Sequence, residues 1–151
     1  MTLKDIFECL RGIDRDAQAL IKKARFSFDA GIGESVCMDM DDPEHLYLEE
    51  EAYCILYGLA SMHEDLLYLR RPFRGEYKVT QMPDGRIGYD DGDRFHALHC
   101  GDSLEVKVTD SLGRRRWIRS GVEHDGDHYY LIGCSRFPAV GYTIRIKEGL
   151  S

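Results

Sequence analysis

The N-terminal half of the chain repeats apolar residues at alternating intervals of three and four, which is the pattern of amphipathic helices. The first repeat consists of Leu3, Ile6, Leu10, Ile13, Ala17, Leu20 and Ala24. Thr2 precedes this repeat and Asp5 follows three residues later, so the two side chains can close an acidic capping box. We predict a first helix over about residues 3–25.

A second repeat consists of Leu48, Ala52, Ile55, Leu59, Met62, Leu66 and Leu69. Asp42 suits the N-cap, Pro43 suits the first helical position and Pro72 limits continuation, so we predict a second helix over about residues 43–70. The loop over residues 26–42 makes an antiparallel hairpin the simplest arrangement. We call the two repeats the seams and expect them to pack together inside the hairpin. A homodimer formed through the same seams is the alternative.

From Gly75 onward the period of the apolar positions changes to two, and turn residues recur at short intervals. The predicted strands span residues 76–82, 86–89, 94–98, 104–108, 115–123, 128–133 and 142–147. An SH3-like barrel fits this length best, with an OB-like barrel as the alternative. The predicted fold class is therefore α+β, with an antiparallel two-helix hairpin over residues 1–72 and a small SH3-like β-barrel over residues 75–148.

The segment RRRWIRSGVEHDGDHYYLIG predicts a β-hairpin that turns at Asp125 and Gly126. If these two residues form a type I′ turn, Val122 faces Tyr129 in the barrel interior. The same register assigns Trp117, Tyr130 and Ile132 to the outer face, with Arg115 and Arg119 at its rim. Because this face is too apolar to leave in water, we expect it to dock on the second helix.

The composition bounds the class of protein. The chain has 151 residues, 43% of them hydrophobic and 31% charged, as in soluble globular proteins. No apolar run is long enough for a membrane span, and the charged N-terminus lacks a signal peptide, so we expect a cytoplasmic protein. The net charge is −7. Residues 1–74 supply −6 of it, which argues against a protein that wraps duplex DNA.

Metal and catalytic chemistry find little support in the sequence. The cysteines are scattered without a CxxC motif, so we expect buried, reduced thiols at Cys9, Cys37, Cys54, Cys100 and Cys134. The histidine spacings do not suit zinc, and we expect no metal and no cofactor. The chain also lacks a P-loop, a GxSxG motif and a dinucleotide-binding glycine motif, so an enzyme is only a third hypothesis.

The predicted hairpin resembles the signature of an uncharacterised family of small bacterial proteins with a C-terminal domain of unknown function. The matching positions are Trp117, Ile118, Val122, Glu123, His124, Asp125, Gly126, Tyr129, Tyr130, Leu131, Ile132 and Gly133. Residues 101–108 are similar as well, and the likeness covers about residues 75–148. The resemblance implies an SH3-like barrel encoded by genes often associated with mobile elements, and it brings no catalytic residues.

Arginines beside aromatic residues are the remaining candidate chemistry, because such groups contact nucleic acids and also dominate protein interfaces. The candidate interaction residues are Trp117, Arg115, Arg119, Tyr130, Arg70, Arg71 and Arg74. Our leading hypothesis is a non-enzymatic binding or regulatory protein with a protein partner, as a mobile-element-encoded inhibitor or accessory factor. The alternative is a nucleic-acid-binding accessory protein that uses the barrel arginines.

Overall fold

A computed structural model of the chain describes residues 1–33, 41–134 and 138–149. The chain divides into a helical unit, Met1–Arg70, and a β unit, Arg71–Ser151. Helix α1 spans Leu3–Ala24 and helix α2 spans Pro43–Arg70, which confirms both predicted helices. Of the predicted loop, residues 34–40 lie outside the described residues, and Cys37 is among them.

Local capping fixes the ends of the helices. The Thr2 hydroxyl accepts a hydrogen bond from the Asp5 amide at 3.2 Å, and the Asp5 carboxylate accepts one from the Thr2 amide at 2.7 Å. This is the predicted capping box. Helix α1 ends at Arg25, which adopts a left-handed conformation with φ of 50°. At the start of α2, the Asp42 carboxylate accepts a hydrogen bond from the Glu44 amide at 3.0 Å.

The two helices pack along one contact line that contains a polar pair. The Asp14 carboxylate, only 5% exposed, lies 2.9 Å from the His63 ring. Near the loop end, Phe26 packs against Leu56 and Ala60, and all three side chains are buried. Because buried polar groups must be paired, the Asp14–His63 contact selects this register of the two helices over a purely apolar one.

The structure corrects our expectation that the seams pack wholly inside the hairpin. Ala17 and Leu66 are each 5% exposed and lie inside. The members of the seams that face solvent are Leu3, Ile6, Ile13, Leu20, Leu48, Ile55 and Leu69, at 39–75% exposure. Two packed helices bury only a narrow strip of side chains on each helix. The Asp14–His63 contact lies in that strip, and on α1 the buried Asp14 directly follows the exposed Ile13 in sequence.

Within residues 71–134 and 138–149, the β unit has eight antiparallel strands: β1 Phe73–Lys78, β2 Thr80–Gln81, β3 Ile87–Asp90, β4 Phe95–Ala97, β5 Ser103–Thr109, β6 Arg115–His124, β7 Tyr129–Leu131 and β8 Thr143–Lys147. They form a five-stranded sheet in the order β1-β8-β5-β6-β7 and a three-stranded sheet in the order β2-β3-β4. The first predicted strand is divided at Val79. Its amide donates to the Tyr142 carbonyl at 2.9 Å, so the chain passes there from the larger sheet to the smaller one.

Both sheets contribute to one apolar core. The larger sheet supplies Leu104, Val106, Val122, Leu131 and Ile144, each at most 1% exposed, and the smaller sheet adds Ile87 and Tyr89. Each of these aliphatic side chains contributes about 1.5–3 kcal/mol by leaving water. With the helices, this core confirms the predicted α+β fold class.

The register of the β6–β7 hairpin differs from our prediction. Val122 pairs with Leu131 and not with Tyr129, so the loop over residues 125–128 is four residues long. The physical cause is Asp125, whose carboxylate accepts hydrogen bonds from the amides of Asp127 at 2.9 Å and His128 at 2.7 Å. A shift of two residues leaves every side chain on its predicted face, because the pleat has a period of two.

The cysteines correct a further expectation. Cys9, Cys54 and Cys100 are exposed, and Cys134 is half-buried. Cys9 and Cys54 belong to α1 and α2, where they fall on the sides that do not enter the hairpin contact. Burial raises the pKa of the Cys134 thiol.

Candidate interaction surface

Strand β6 positions the only tryptophan of the chain. Trp117 pairs with Lys107 on β5, and Arg115 and Arg119 pair with Thr109 and Glu105. Directly opposed residues of antiparallel strands share one face of the sheet, so the alternation in β6 brings Arg115, Trp117 and Arg119 together. This face points away from the core. The inner face of β5 carries the core residues.

Cations from neighbouring strands surround the indole ring. The Lys107 ammonium lies 4.7 Å from the ring centroid of Trp117, and the Arg145 guanidinium lies 4.4 Å from it. Arg145 also lies 3.9 Å from the ring centroid of Phe73, with the Lys147 ammonium 4.3 Å from the same ring. Each such contact contributes about 0.5–2 kcal/mol. Aromatic rings and cations therefore form a continuous band across β1, β8, β5 and β6.

The outer face of the larger sheet is positively charged in an acidic protein. We use the name Trp117 face for the part of it formed by β1, β8, residues 105–109 of β5 and residues 115–119 of β6. The strand registers define its members as Phe73, Glu76, Lys78, Glu105, Lys107, Thr109, Arg115, Trp117, Arg119, Thr143, Arg145 and Lys147. Six cations against two carboxylates give this face a net charge of +4, whereas the whole chain carries −7. Such local concentration of charge steers the approach of acidic partners.

A buried carboxylate organises the centre of this face. Glu105 is 5% exposed, and its Oε2 atom accepts a hydrogen bond from the Nε of Arg145 at 2.6 Å and forms an ion pair with Nη2 at 2.5 Å. These two charged contacts to one oxygen hold the guanidinium against the Trp117 ring. Burial lowers the pKa of Lys147, whose ammonium donates to the Arg71 carbonyl at 3.2 Å. The cationic band is therefore ordered before any partner arrives.

The other predicted interaction residues are not members of the Trp117 face. Arg70 ends α2 in the helical unit, and Arg71 donates to the Gly149 carbonyl at 3.2 Å. Arg74 lines a cleft of about 260 Å³ on the β unit, away from the Trp117 face. Tyr130 pairs with Glu123, six residues along β6 from Trp117, on the order of 20 Å away. Within the β unit, Arg74 and Tyr130 thus lie apart from Trp117, whereas Arg71 contacts Lys147 of the Trp117 face.

Sequence reasoning missed the contributions of Lys107, Arg145 and Phe73 to this surface. The alternating segments LEVKV and YTIRIK do place Lys107 and Arg145 on outer faces. Their proximity to Trp117 depends on the strand order β1-β8-β5-β6, in which neighbours are distant in sequence.

The cleft beside Arg74 holds the grouping that most resembles a catalytic one. The His96 ring stacks on Tyr89 at 4.9 Å and lies 2.5 Å from the Asp91 carboxylate. Hydrogen bonds from the amides of Arg94 and Asp93, followed by the His96 ring, hold the pKa of Asp91 well below its usual range. Asp91 therefore serves mainly to close its turn. The residues that line the cleft include His96, His99, Asp102 and Ser103. Among the described residues, the nearby thiol of Cys100 does not line it.

Within residues 1–33, 41–134 and 138–149, no group of three or more His, Cys, Asp or Glu side chains could hold a metal ion. In the same part of the chain, neither helix has the apolar length that crossing a bilayer requires.

The fold and the surface define a two-part protein, with a helical hairpin joined to an antiparallel β unit that presents a cationic, aromatic face. Residues 79–146, which cover most of that β unit, match a domain of unknown function, DUF5348. The match includes Trp117, Lys107 and Arg145 and ends before Lys147. Neither the curated proteins nor the solved structures yielded a match to the chain.

Proposed function

We propose that this protein is a non-enzymatic binding protein of the cytoplasm, and that its Trp117 face contacts an acidic surface of a protein partner. The observation that carries the proposal is the net charge of +4 on an ordered, aromatic sheet face in a chain of net charge −7. Tryptophan and arginine are the residues that most often dominate protein interfaces.

The order within the face favours a protein partner over a nucleic acid. Arg145 is held by a hydrogen bond and an ion pair to Glu105, so little side-chain entropy remains to be lost on binding. The Trp117 ring is already in contact with Lys107 and Arg145. A base that stacked on this ring would have to compete with these cations, whereas carboxylates of a protein partner could pair with them at the ring edge.

The finer features of the proposal come from the resemblance. We propose that the two sheets close into an SH3-like barrel, which is consistent with their shared core and with the strand that passes between them at Val79. We also propose that the protein serves a bacterial mobile element as an inhibitor or accessory factor. In that role the acidic helical unit would provide a second contact area, separate from the Trp117 face.

A titration with polyglutamate, an acidic polypeptide probe, tests the charge preference of the face. Trp117 is the only tryptophan, so its fluorescence reports binding at this surface. We expect Arg115→Glu to weaken binding by about tenfold, equivalent to about 1.4 kcal/mol. Arg94→Glu is the matched control, because it makes the same charge change beside the smaller sheet. Equal effects of the two variants would contradict the proposal.

The second candidate function is nucleic-acid binding by the same face, and its six cations favour it. Phosphate contacts give an affinity that falls steeply with salt. A labelled DNA or RNA that shifts at low salt, and no longer shifts with Arg115→Ala plus Arg119→Ala, would support this function. The absence of any shift at low salt would eliminate it.

A further inference from the structure

Six of the solvent-facing seam residues, together with the half-buried Met62, form a regular apolar surface on the helical unit. We call it the helix face, and its members are Ile6, Ile13 and Leu20 of α1 with Leu48, Ile55, Met62 and Leu69 of α2. Within each helix these residues recur every seven positions. The leucines and isoleucines among them are 39–61% exposed. Seven-residue spacing is the pattern by which helices pack knobs into the holes of other helices.

Both helices present these residues on the same side of the hairpin. The contact line between the two helices passes through Asp14 and His63. In sequence, Ile13 comes directly before Asp14, and Met62 comes directly before His63. Each helix is right-handed and the two run antiparallel, so the residues just before the line project to the same side. The exposed residues of α1 and α2 therefore form one surface instead of two separate stripes.

The size of the helix face matches what a specific interface needs. A half-exposed leucine or isoleucine shows roughly 100 Å², so the face offers on the order of 600 Å² per copy, half of the ~1,200 Å² of the smallest stable interfaces. That area is at the upper end of the largest patch on a typical monomer. All seven members are uncharged, and burying them in a partner would not strand a charge.

We propose that a second copy of this chain covers the helix face, so that two hairpins form an antiparallel four-helix bundle. A face built from two antiparallel helices with the same seven-residue spacing is self-complementary, and a two-fold axis closes the assembly. An unrelated partner would need to present the same spacing on two helices, whereas a second copy presents it by construction. The dimer does not depend on the Trp117 face.

The mass of the full-length protein in solution tests this proposal directly. The chain has a mass of 17.4 kDa, and sedimentation equilibrium over a micromolar concentration range should approach twice that value. Because the contact is apolar, we expect the dimer to persist in 1 M salt, where the Debye length is only about 3 Å. A wild-type protein that remains monomeric throughout the range would overturn the proposal, as would a dimer that dissociates in salt.

Paired substitutions locate the interface. Ile13→Glu plus Ile55→Glu changes two side chains that are 52% and 61% exposed, so the hairpin itself should fold and circular dichroism should retain its helical signal. We expect this variant to be monomeric. Leu112→Glu is the control, because Leu112 is 74% exposed but belongs to the β unit, and this variant should stay dimeric. Should the glutamates unfold the hairpin, Ile13→Ser plus Ile55→Ser replaces them. A folded face variant that remains dimeric would place the contact elsewhere and refute the proposal.

Discussion

Replacing Glu105 by glutamine should destabilise the β unit more than any other single change of charge on the Trp117 face. Glutamine keeps the shape of the side chain but removes the negative charge that two nitrogen atoms of the Arg145 guanidinium, Nε and Nη2, approach at 2.6 and 2.5 Å. The side chains of Glu105 and Arg145 are only 7% and 24% exposed. Water therefore cannot fully replace the lost partner.

The magnitude follows from this burial. Removing one partner of a buried ion pair costs about 3–5 kcal/mol. Arg145 keeps some contact with water and its contacts with Trp117 and Phe73, so we expect the free energy of unfolding to fall by about 2–4 kcal/mol. Glu76→Gln is the matched control. It makes the same chemical change but breaks an ion pair with Lys107 whose members are more exposed, at 55% for Glu76 and 31% for Lys107, and it should cost less than about 1 kcal/mol.

Urea denaturation followed by the fluorescence of Trp117 measures this quantity. The single tryptophan lies in the β unit, so the helical unit does not contribute to the signal. A double-mutant cycle with Arg145→Met should give a coupling energy of at least about 1.5 kcal/mol, with the double variant recovering part of the loss. A loss below about 1 kcal/mol for Glu105→Gln, or a loss equal to that of Glu76→Gln, would show that the Glu105–Arg145 pair does not organise this face.

Three further predictions concern the fold. Gly88→Ala should prevent native folding of the β unit, seen as loss of the cooperative urea transition, because the new Cβ would overlap the carbonyl oxygen of His96 across β3 and β4. Asp14→Ala should lower the stability of the helical unit by about 1–3 kcal/mol in thermal melts, since it removes a largely buried carboxylate and its hydrogen bond to the half-buried His63 ring. Amides of His128 and Asp127 lower the pKa of Asp125 below the ordinary 3.8, so this carboxylate stabilises the loop at pH values above 3.8 and the effect is lost as pH falls through the lowered pKa. NMR shifts of the loop amides should titrate below pH 3.8, and Asp125→Asn should abolish that titration.

Local sequence signals made the two helices predictable, but the way in which the helices pack together could not be predicted from them. Thr2 and Asp42 carry the capping information within a few residues of the helix starts, where sequence and structure are directly linked. Which half of each seam lies inside depends on the opposite helix. The Asp14–His63 contact joins residues that are 49 positions apart. Because hydrophobic periodicity considers only apolar positions along one helix, it cannot predict such a polar contact between two helices.

The candidate surface was predictable on one strand and not across strands. Alternation in β6 correctly grouped Trp117 with its two arginines, and this grouping survived an incorrect hairpin register because the shift was even. The register itself was set by the side chain of Asp125, which a turn rule based on Asp-Gly does not include. Lys107 and Arg145 could be placed beside Trp117 only after the order of strands was known.

Affinity capture from a lysate of the native host, after nuclease treatment, tests the proposed binding function most directly. We predict that the wild-type protein and the Arg94→Glu control retain the same acidic protein, identified by mass spectrometry, and that Arg115→Glu does not. Arg115 lies on the Trp117 face and Arg94 lies outside it. Capture that nuclease abolishes, or that Arg115→Glu leaves unchanged, would contradict a protein partner at this face.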